Sequence, residues 1–265
     1  MERTPSDRPT PTVLKFGGTS VEDTAACGRV AAIVRAHGGP RPVVVVSALA
    51  GVTDALLGCA GEGALRAFDP HLERHREIAR RLLGPEASAA FLAELVPLLD
   101  DGTIPVLGGY IGAAAGGITT TLGRGGSDYT AALVGAALGA GEIQIWTDVN
   151  GVQTADPRVV TGARTILSLS YAEAAELAYF GAKVLHPKTT QPAMDQGIPV
   201  RICNSRAPDD AGTLVSGAAD VWPGTVKSIA HKSGITVVQI SSARMLGAYG
   251  FLRAQIGRAS CRERV

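Results

Sequence analysis

The apolar positions of this chain follow two rhythms, and the order in which they alternate predicts a fold. "TVLKFGGTSV" (12–21) reads as a short strand running into a Gly-Gly turn. "VEDTAACGRVAAIVRAH" (21–37) has the three-and-four spacing of a helix, with Ser20 as its expected N-cap and Asp23 in its first turn. "RPVVVVSALAGVT" (41–53) is an unbroken β-branched run ending in small residues, the pattern of a strand buried on both faces. Helical spacing returns over about 54–99, interrupted near Gly84-Pro85 and at Pro97.

A second apolar strand with terminal glycines is expected in "IPVLGGYIGA" (104–113). The polar loop "TTTLGRGGSDYTA" (119–131) runs into a helix, "YTAALVGAALGA" (129–140), and then a strand, "EIQIWTDVNGV" (142–152). "SYAEAAELAYFGAKVLHP" (170–187) predicts an amphipathic helix opened by a capping box of Ser170 and Glu173. "GIPVRICNS" and "GTLVSG" complete the set as strands. Strands alternating with helices predict a mostly parallel, doubly wound α/β sheet, helices on both faces.

The boundaries follow from the same pattern. Residues 1–11 are polar and proline-rich and predict a disordered lead-in, and 12–217 hold the main domain. A new strand–loop–helix pattern starts in "KSIAHKSGITVVQISSARMLGAYGFLRAQ" (227–255) and stops before it can build a core. The last ten residues, "IGRASCRERV" (256–265), break that pattern and resemble a translated sequencing adapter, so they are expected to be a non-native tail.

Composition narrows the function classes. The 265 residues carry a formal net charge of +1 with no basic stripe, which argues against nucleic acid or an anionic membrane as partner. The apolar runs fall short of the ~20 residues of a membrane span. Four cysteines without C-x-x-C or metal-ligand spacing predict a reduced, cytoplasmic protein with no dedicated metal site. His71 and His75 stand at helical i, i+4 spacing, but their basic surroundings predict a solvated face. His186 is expected to help end a helix, and Cys203 and Trp146 to pack in the core.

The candidate chemistry lies in four small, polar loops: 17–20, 47–53, 123–128 and 147–158. In an open parallel sheet, ligands bind beyond the carboxyl ends of the strands. Glycines let backbone N–H groups approach an anion, and a following helix N-terminus favours negative charge. Lys15, just before Gly17, supplies a point charge for phosphates held there. The P-loop and dinucleotide-binding signatures are missing.

Five motifs in order, "VLKFGGTSV", "VVVVSALAGVT", "TTTLGRGGSDYTAAL", "WTDVNGVQTADPRVV" and "AAELAYFGAKVLHPKT", resemble the motif series of the aspartate kinases of the amino-acid kinase superfamily. The resemblance covers about 12–216 and implies a three-layer α/β/α sandwich. It implies ATP with Mg2+ as cofactor and L-aspartate as substrate, phosphorylated on its side-chain carboxylate. By that resemblance, Lys15, Asp128 and Lys183 are the catalytic set, the two lysines bracketing the transferred phosphoryl group. Gly17, Gly18 and Ser20 line the phosphates, and Thr147, Asp148, Gln153 and Arg158 complete the nucleotide site. Thr53, Arg124, Gly125, Gly126, Ser127 and Asp128 hold the amino acid. Residues 225–255 resemble the start of an ACT-type regulatory region, through which the family usually forms homo-oligomers. Relative to the family, the chain is expected to be shortened between about 95 and 104, where a Ser-x-Gly-Glu stretch would contact the substrate ammonium group. The alternative expectation is a non-catalytic nucleotide-binding fragment.

Overall fold

The computed structural model describes residues 10–39, 42–52, 73–74, 77–78, 104–113, 119–123, 125–179, 185, 187–217, 226–231 and 234. Residues 1–231 form one compact unit, and 232–265 a second, of which Gly234 alone is described. Most of the expected helical region 54–99, the shortened junction, both termini and nearly all of the expected regulatory segment lie outside the described residues. Glu73, Arg74, Glu77 and Ile78 are helical, as their spacing predicts.

Nine strands are described. Seven form a sheet in the order β3-β2-β1-β6-β8-β9-β7: β1 Thr12–Phe16, β2 Val43–Val46, β3 Val106–Gly108, β6 Glu142–Thr147, β7 Ser168–Ser170, β8 Val200–Asn204 and β9 Thr213–Ser216. Every pairing is parallel except β8 with β9. The expected mostly parallel sheet is what the chain forms. β4 Ile111–Ala113 and β5 Thr119–Thr121 make a separate antiparallel pair.

Alternation along the strands sorts the core into two layers. Val13, Val45, Ile143, Ile145, Val200 and Ile202 face α2 (Gly126–Leu138), α3 (Tyr171–Tyr179) and α4 (Pro187–Asp195). Leu14, Phe16, Val44, Trp146 and Cys203 face the opposite way, where Ile33 of α1 (Thr24–Ala36) packs. Trp146 stacks on Phe16 with ring centroids 6.0 Å apart. Burial pushes the Cys203 thiol up to about 12, so it is an inert core group, as expected. α2 is rich in Ala and Gly because it lies hard against β6. A Cβ on Gly135 would sit 2.5 Å from Ile143 Cδ1.

Three expectations are corrected. The N-cap of α1 is Asp23, which accepts from the Ala26 N–H at 2.7 Å; Ser20 ends a 3-10 turn instead. "IPVLGGYIGA" is not one buried strand. It divides into β3 and β4; Val106 and Leu107 are 61% and 39% exposed, and among the described residues β3 pairs with β2 alone. "TTT" is the strand β5 rather than loop, and α2 begins at Gly126, ahead of the expected Tyr129. α4 is a helix that the sequence patterns do not predict; Pro187 opens it and Pro192 sits inside it. The capping box is as expected: the Ser170 N–H donates to Glu173 at 2.7 Å, and the Glu173 N–H donates to Ser170 Oγ at 3.1 Å.

Candidate active site

The loops 17–20, 47–53 and 147–158 leave the carboxyl ends of β1, β2 and β6, and the 123–128 loop, which follows β5, meets the same edge where Gly109 after β3 lies against Ser127. Leaving β1, the Gly17 N–H donates to the Trp146 carbonyl at 3.0 Å, so the Gly-Gly turn is pinned to the end of β6. The N–H groups of Ser20 and Val21 bond back to Gly17 and Gly18, which leaves Gly18 and Thr19 as the turn's remaining backbone donors. A Cβ on Gly18 would come within 2.9 Å of the Ala48 carbonyl, so only glycine lets the loop after β2 lie this close.

Lys15 is on the face of β1 that carries Val13, in register with Val45 and Ile145. Its side chain therefore continues the row that packs against α2, one layer above the core. There its Nζ lies 2.5 Å from Oδ1 of Asp128, in the first turn of α2, with side-chain exposures of 9% and 16%. That oxygen is buried and makes no directed hydrogen bond, so the contact is an ion pair whose carboxylate keeps acceptor capacity for another donor.

The start of α2 is held from three sides. Ser47 Oγ donates to Ser127 Oγ at 2.7 Å, and a Cβ on Gly109 would come 2.8 Å from Ser127 Cβ. Thr130 Oγ1 donates to the Gly126 carbonyl at 2.9 Å and accepts the Tyr110 N–H at 3.1 Å. Gly125, the N-cap, has φ 71° and no side chain capping the helix. The Gly126 N–H donates to the Gly123 carbonyl at 2.9 Å, and the N-terminal end of α2, the end of a helix that favours negative charge, lies beside Lys15. Gly125→Ala is expected to destabilise the fold by about 1–3 kcal/mol, because φ is left-handed and the new Cβ would meet Thr189 Cγ2 at 2.7 Å. Urea denaturation checks this.

Thr147 and Asp148 end β6, and Thr147 Oγ1 donates to Asp148 at 3.2 Å. Beyond them, Gln153 and Arg158 line a cleft of about 670 Å³ together with Asp148. Arg158 is exposed and forks onto Asp156 through Nε at 3.0 Å and a terminal nitrogen at 2.7 Å. These hydrogen bonds, aided by the Arg158 N–H, lower the Asp156 pKa from 3.8 to about 2. Because the folded value lies below the unfolded one, this pair's contribution is present above about pH 4 and is lost as pH falls towards 2. Thermal midpoints of the wild type and Asp156→Asn should therefore differ slightly at neutral pH and low salt, and converge near pH 2.

Of the sequence-predicted site residues, Lys15, Gly17, Gly18, Ser20, Gly125, Gly126, Ser127, Asp128, Thr147 and Asp148 gather at this edge. Gln153 and Arg158 lie farther along the same loop. Thr53, Arg124, Lys183 and the three histidines His71, His75 and His186 lie outside the described residues. Ser20 differs from expectation in detail: it is fully buried, its hydroxyl shared with Ser205 Oγ at 2.8 Å and near the Trp146 carbonyl.

Sequence reasoning missed Ser205, Tyr110 and Arg74. Ser205 follows β8, accepts Ser20 or donates to it, and donates its N–H to the Thr147 carbonyl at 2.8 Å. Its place directly after the apolar strand β8 is a signal that could have found it. Tyr110, a bulky residue at φ 79°, lies against Gly126. Arg74, from the stretch expected to be a solvated basic face, donates to the carbonyls of Ala50 at 2.9 Å and of Glu22, joining the 47–53 loop to the segment that leads into α1.

With this geometry in place, the relationships are informative. The sequence profile of the amino acid kinase family matches residues 10–92 and 59–204. The chain belongs to that family. It is 35% identical to the lysine-sensitive aspartokinase 3 of Escherichia coli K12 over 328 aligned positions, covering 92% of this chain and 72% of that protein. It is 49% identical over 153 residues to the chloroplastic aspartokinase 2 of Arabidopsis thaliana, covering 57% of this chain and 28% of the relative's length. Its fold matches E. coli aspartokinase III solved with aspartate and ADP, with a TM-score of 0.64 and 32% identity, over 79% of this chain and 65% of that one. Within the amino acid kinases, the chain is a member of the aspartokinase branch. Among its described residues, no helix is long and apolar enough to cross a membrane.

Proposed function

We propose that this chain transfers the γ-phosphoryl group of ATP to the side-chain carboxylate of L-aspartate, giving 4-phospho-L-aspartate and ADP, the first step towards lysine, threonine and methionine. The observation that carries this reading is the buried contact of Lys15 with Asp128 at the meeting point of the glycine turn and the α2 N-terminus. It puts a fixed cation and an acceptor beside backbone donors suited to phosphate. The ligands of the E. coli aspartokinase III structure, aspartate and ADP, are those the reading requires.

A side-chain carboxylate with an ordinary pKa of ≈ 3.9 is already ionised at pH 7, so no general base is needed. One carboxylate oxygen forms a bond to the γ-phosphorus while the bond to the bridging oxygen breaks, and that electron pair leaves on ADP. The protein's task is alignment and charge neutralisation. Lys15 and Lys183 serve the phosphoryl oxygens, and Gly17, Gly18 and the turn closed by Ser20 hold the phosphates. Thr147, Asp148, Gln153 and Arg158 hold the rest of the nucleotide. Arg124 pairs with the substrate α-carboxylate, and Asp128 receives its ammonium group, with Thr53 and Gly125–Ser127 shaping the pocket.

Magnesium bound to ATP supplies further neutralisation. The ion would be held mainly through the phosphates, as is usual for magnesium at nucleotide sites. Homo-oligomers through an ACT-type region at 225–255 and a cytoplasmic location belong to the same reading.

The 328-position alignment is longer than this 265-residue chain, so the E. coli relative carries residues with no counterpart here. This supports an internal shortening, which the resemblance puts at about 95–104. Trapping the acyl phosphate with hydroxylamine tests the proposal. A hydroxamate signal that needs both aspartate and ATP is expected, and a stronger one once the segment is restored. ADP-dependent thermal stabilisation with no hydroxamate from either version would overturn kinase activity and leave nucleotide binding alone.

A further inference from the structure

After β9 the described chain resumes at Val226–His231 and lies along the outer side of the loop between β6 and β7. Three consecutive residues tether it there. Lys227 Nζ is 2.8 Å from Glu173 Oε1, Ser228 Oγ donates to the Gln153 carbonyl at 2.8 Å, and the Ile229 N–H donates to the Thr154 carbonyl at 3.0 Å. Such tethering would ordinarily bury the central apolar side chain. Ile229 instead stays 68% exposed and lines the 670 Å³ cleft with Val149, itself 39% exposed, Val152 and Leu177.

A single exposed isoleucine is unremarkable on a surface. This one is fixed by its own N–H and by the Ser228 hydroxyl just before it, at the mouth of a concavity whose size suits a small molecule. The same cleft holds a polar group without a partner: Gln153 Oε1 is buried and accepts no hydrogen bond. Apolar walls with one orphaned acceptor fit a flat heteroaromatic ring that carries an amino group. The cleft opens from Asp148, directly after β6, and the last residues of β6 also hold the Gly17–Ser20 turn. A ligand with its phosphates at that turn can therefore extend its base into this cleft.

We propose that the strap Val226–His231 is a wall of the nucleotide site, with Ile229 as the apolar platform for the base and Gln153 Oε1 as acceptor for its amino group. This rests on the nucleotide-binding reading and adds to it a contact from beyond the sheet. The nucleotide site thus includes the first residues of the chain that leads out of the kinase unit.

The test compares ADP with inorganic pyrophosphate, a probe without a base, by calorimetry on the full chain. Ile229→Ser is expected to weaken ADP by about tenfold and leave pyrophosphate unchanged, while Ile229→Leu keeps ADP affinity. Because Ile229 is mostly exposed, neither variant should alter the melting temperature. Unchanged ADP affinity in Ile229→Ser overturns the inference, as does an equal loss of ADP and pyrophosphate. If the wild type binds pyrophosphate and ADP equally well, the base makes no contact and the inference fails while the phosphate site stands. If it binds neither, the nucleotide reading falls and this inference with it.

Discussion

Lys15→Met should lower ATP-dependent hydroxamate formation by on the order of 10²–10³-fold, the cost of removing one preorganised donor from a developing phosphoryl charge. The effect belongs to the transition state, so it should appear in kcat at saturating ATP and aspartate. Methionine keeps the length and most of the volume of the lysine stem, so packing against Val45 and Ile145 is largely preserved. What it removes is the charge 2.5 Å from Asp128. Losing one partner of a fully buried pair costs roughly 3–5 kcal/mol, and the cost here should be smaller because the Asp128 side chain is 16% exposed. Thermal denaturation of the ligand-free variant separates this stability loss from the catalytic one. A variant that keeps wild-type kcat would remove Lys15 from the catalytic set.

Asp128→Asn probes the other half of the pair, and a different ligand. The amide keeps the shape of the carboxylate but not its charge, so the affinity for the substrate ammonium group should suffer most. A hydrogen bond to a charged group contributes about 1.5–3 kcal/mol, which corresponds to a rise in the KM for aspartate of roughly 10- to 150-fold. The KM for ATP should move far less. This split distinguishes substrate binding from general disruption of the α2 N-terminus, which would raise both constants. Full activity with unchanged aspartate affinity would exclude Asp128 from the substrate site. Because Lys15 and Asp128 touch, the stability loss in Lys15→Met/Asp128→Asn should be less than the sum of the single losses.

Much of the fold was readable because parallel strands buried on both faces announce themselves. The run Val43–Val46 and the capping box Ser170/Glu173 are local signals, and local hydrogen bonding and burial enforce them. β3 was misjudged because the same apolar composition serves a central strand and an edge strand. Position in the sheet, which no local pattern encodes, decided its exposure. α4 escaped notice because its helix is made by packing, α2 lying along it, rather than by propensity. In the site, Lys15, Gly17, Gly18 and Asp128 were legible from residue type and loop context. Ser205 and Arg74 were not, since each acts through a partner more than fifty residues away.

By itself the sequence determined the alternation of strands and helices, the four small, polar loops and the family, all of which depend on neighbours along the chain. Only the tertiary structure decided that Lys15 meets Asp128, that the Ser20 hydroxyl turns inward to Ser205, and that Ile229 reaches the cleft beside Gln153. Those contacts arise where separate strands end at one edge of the sheet. Strand order and helix placement create that meeting, and they are set by burial summed over the whole domain.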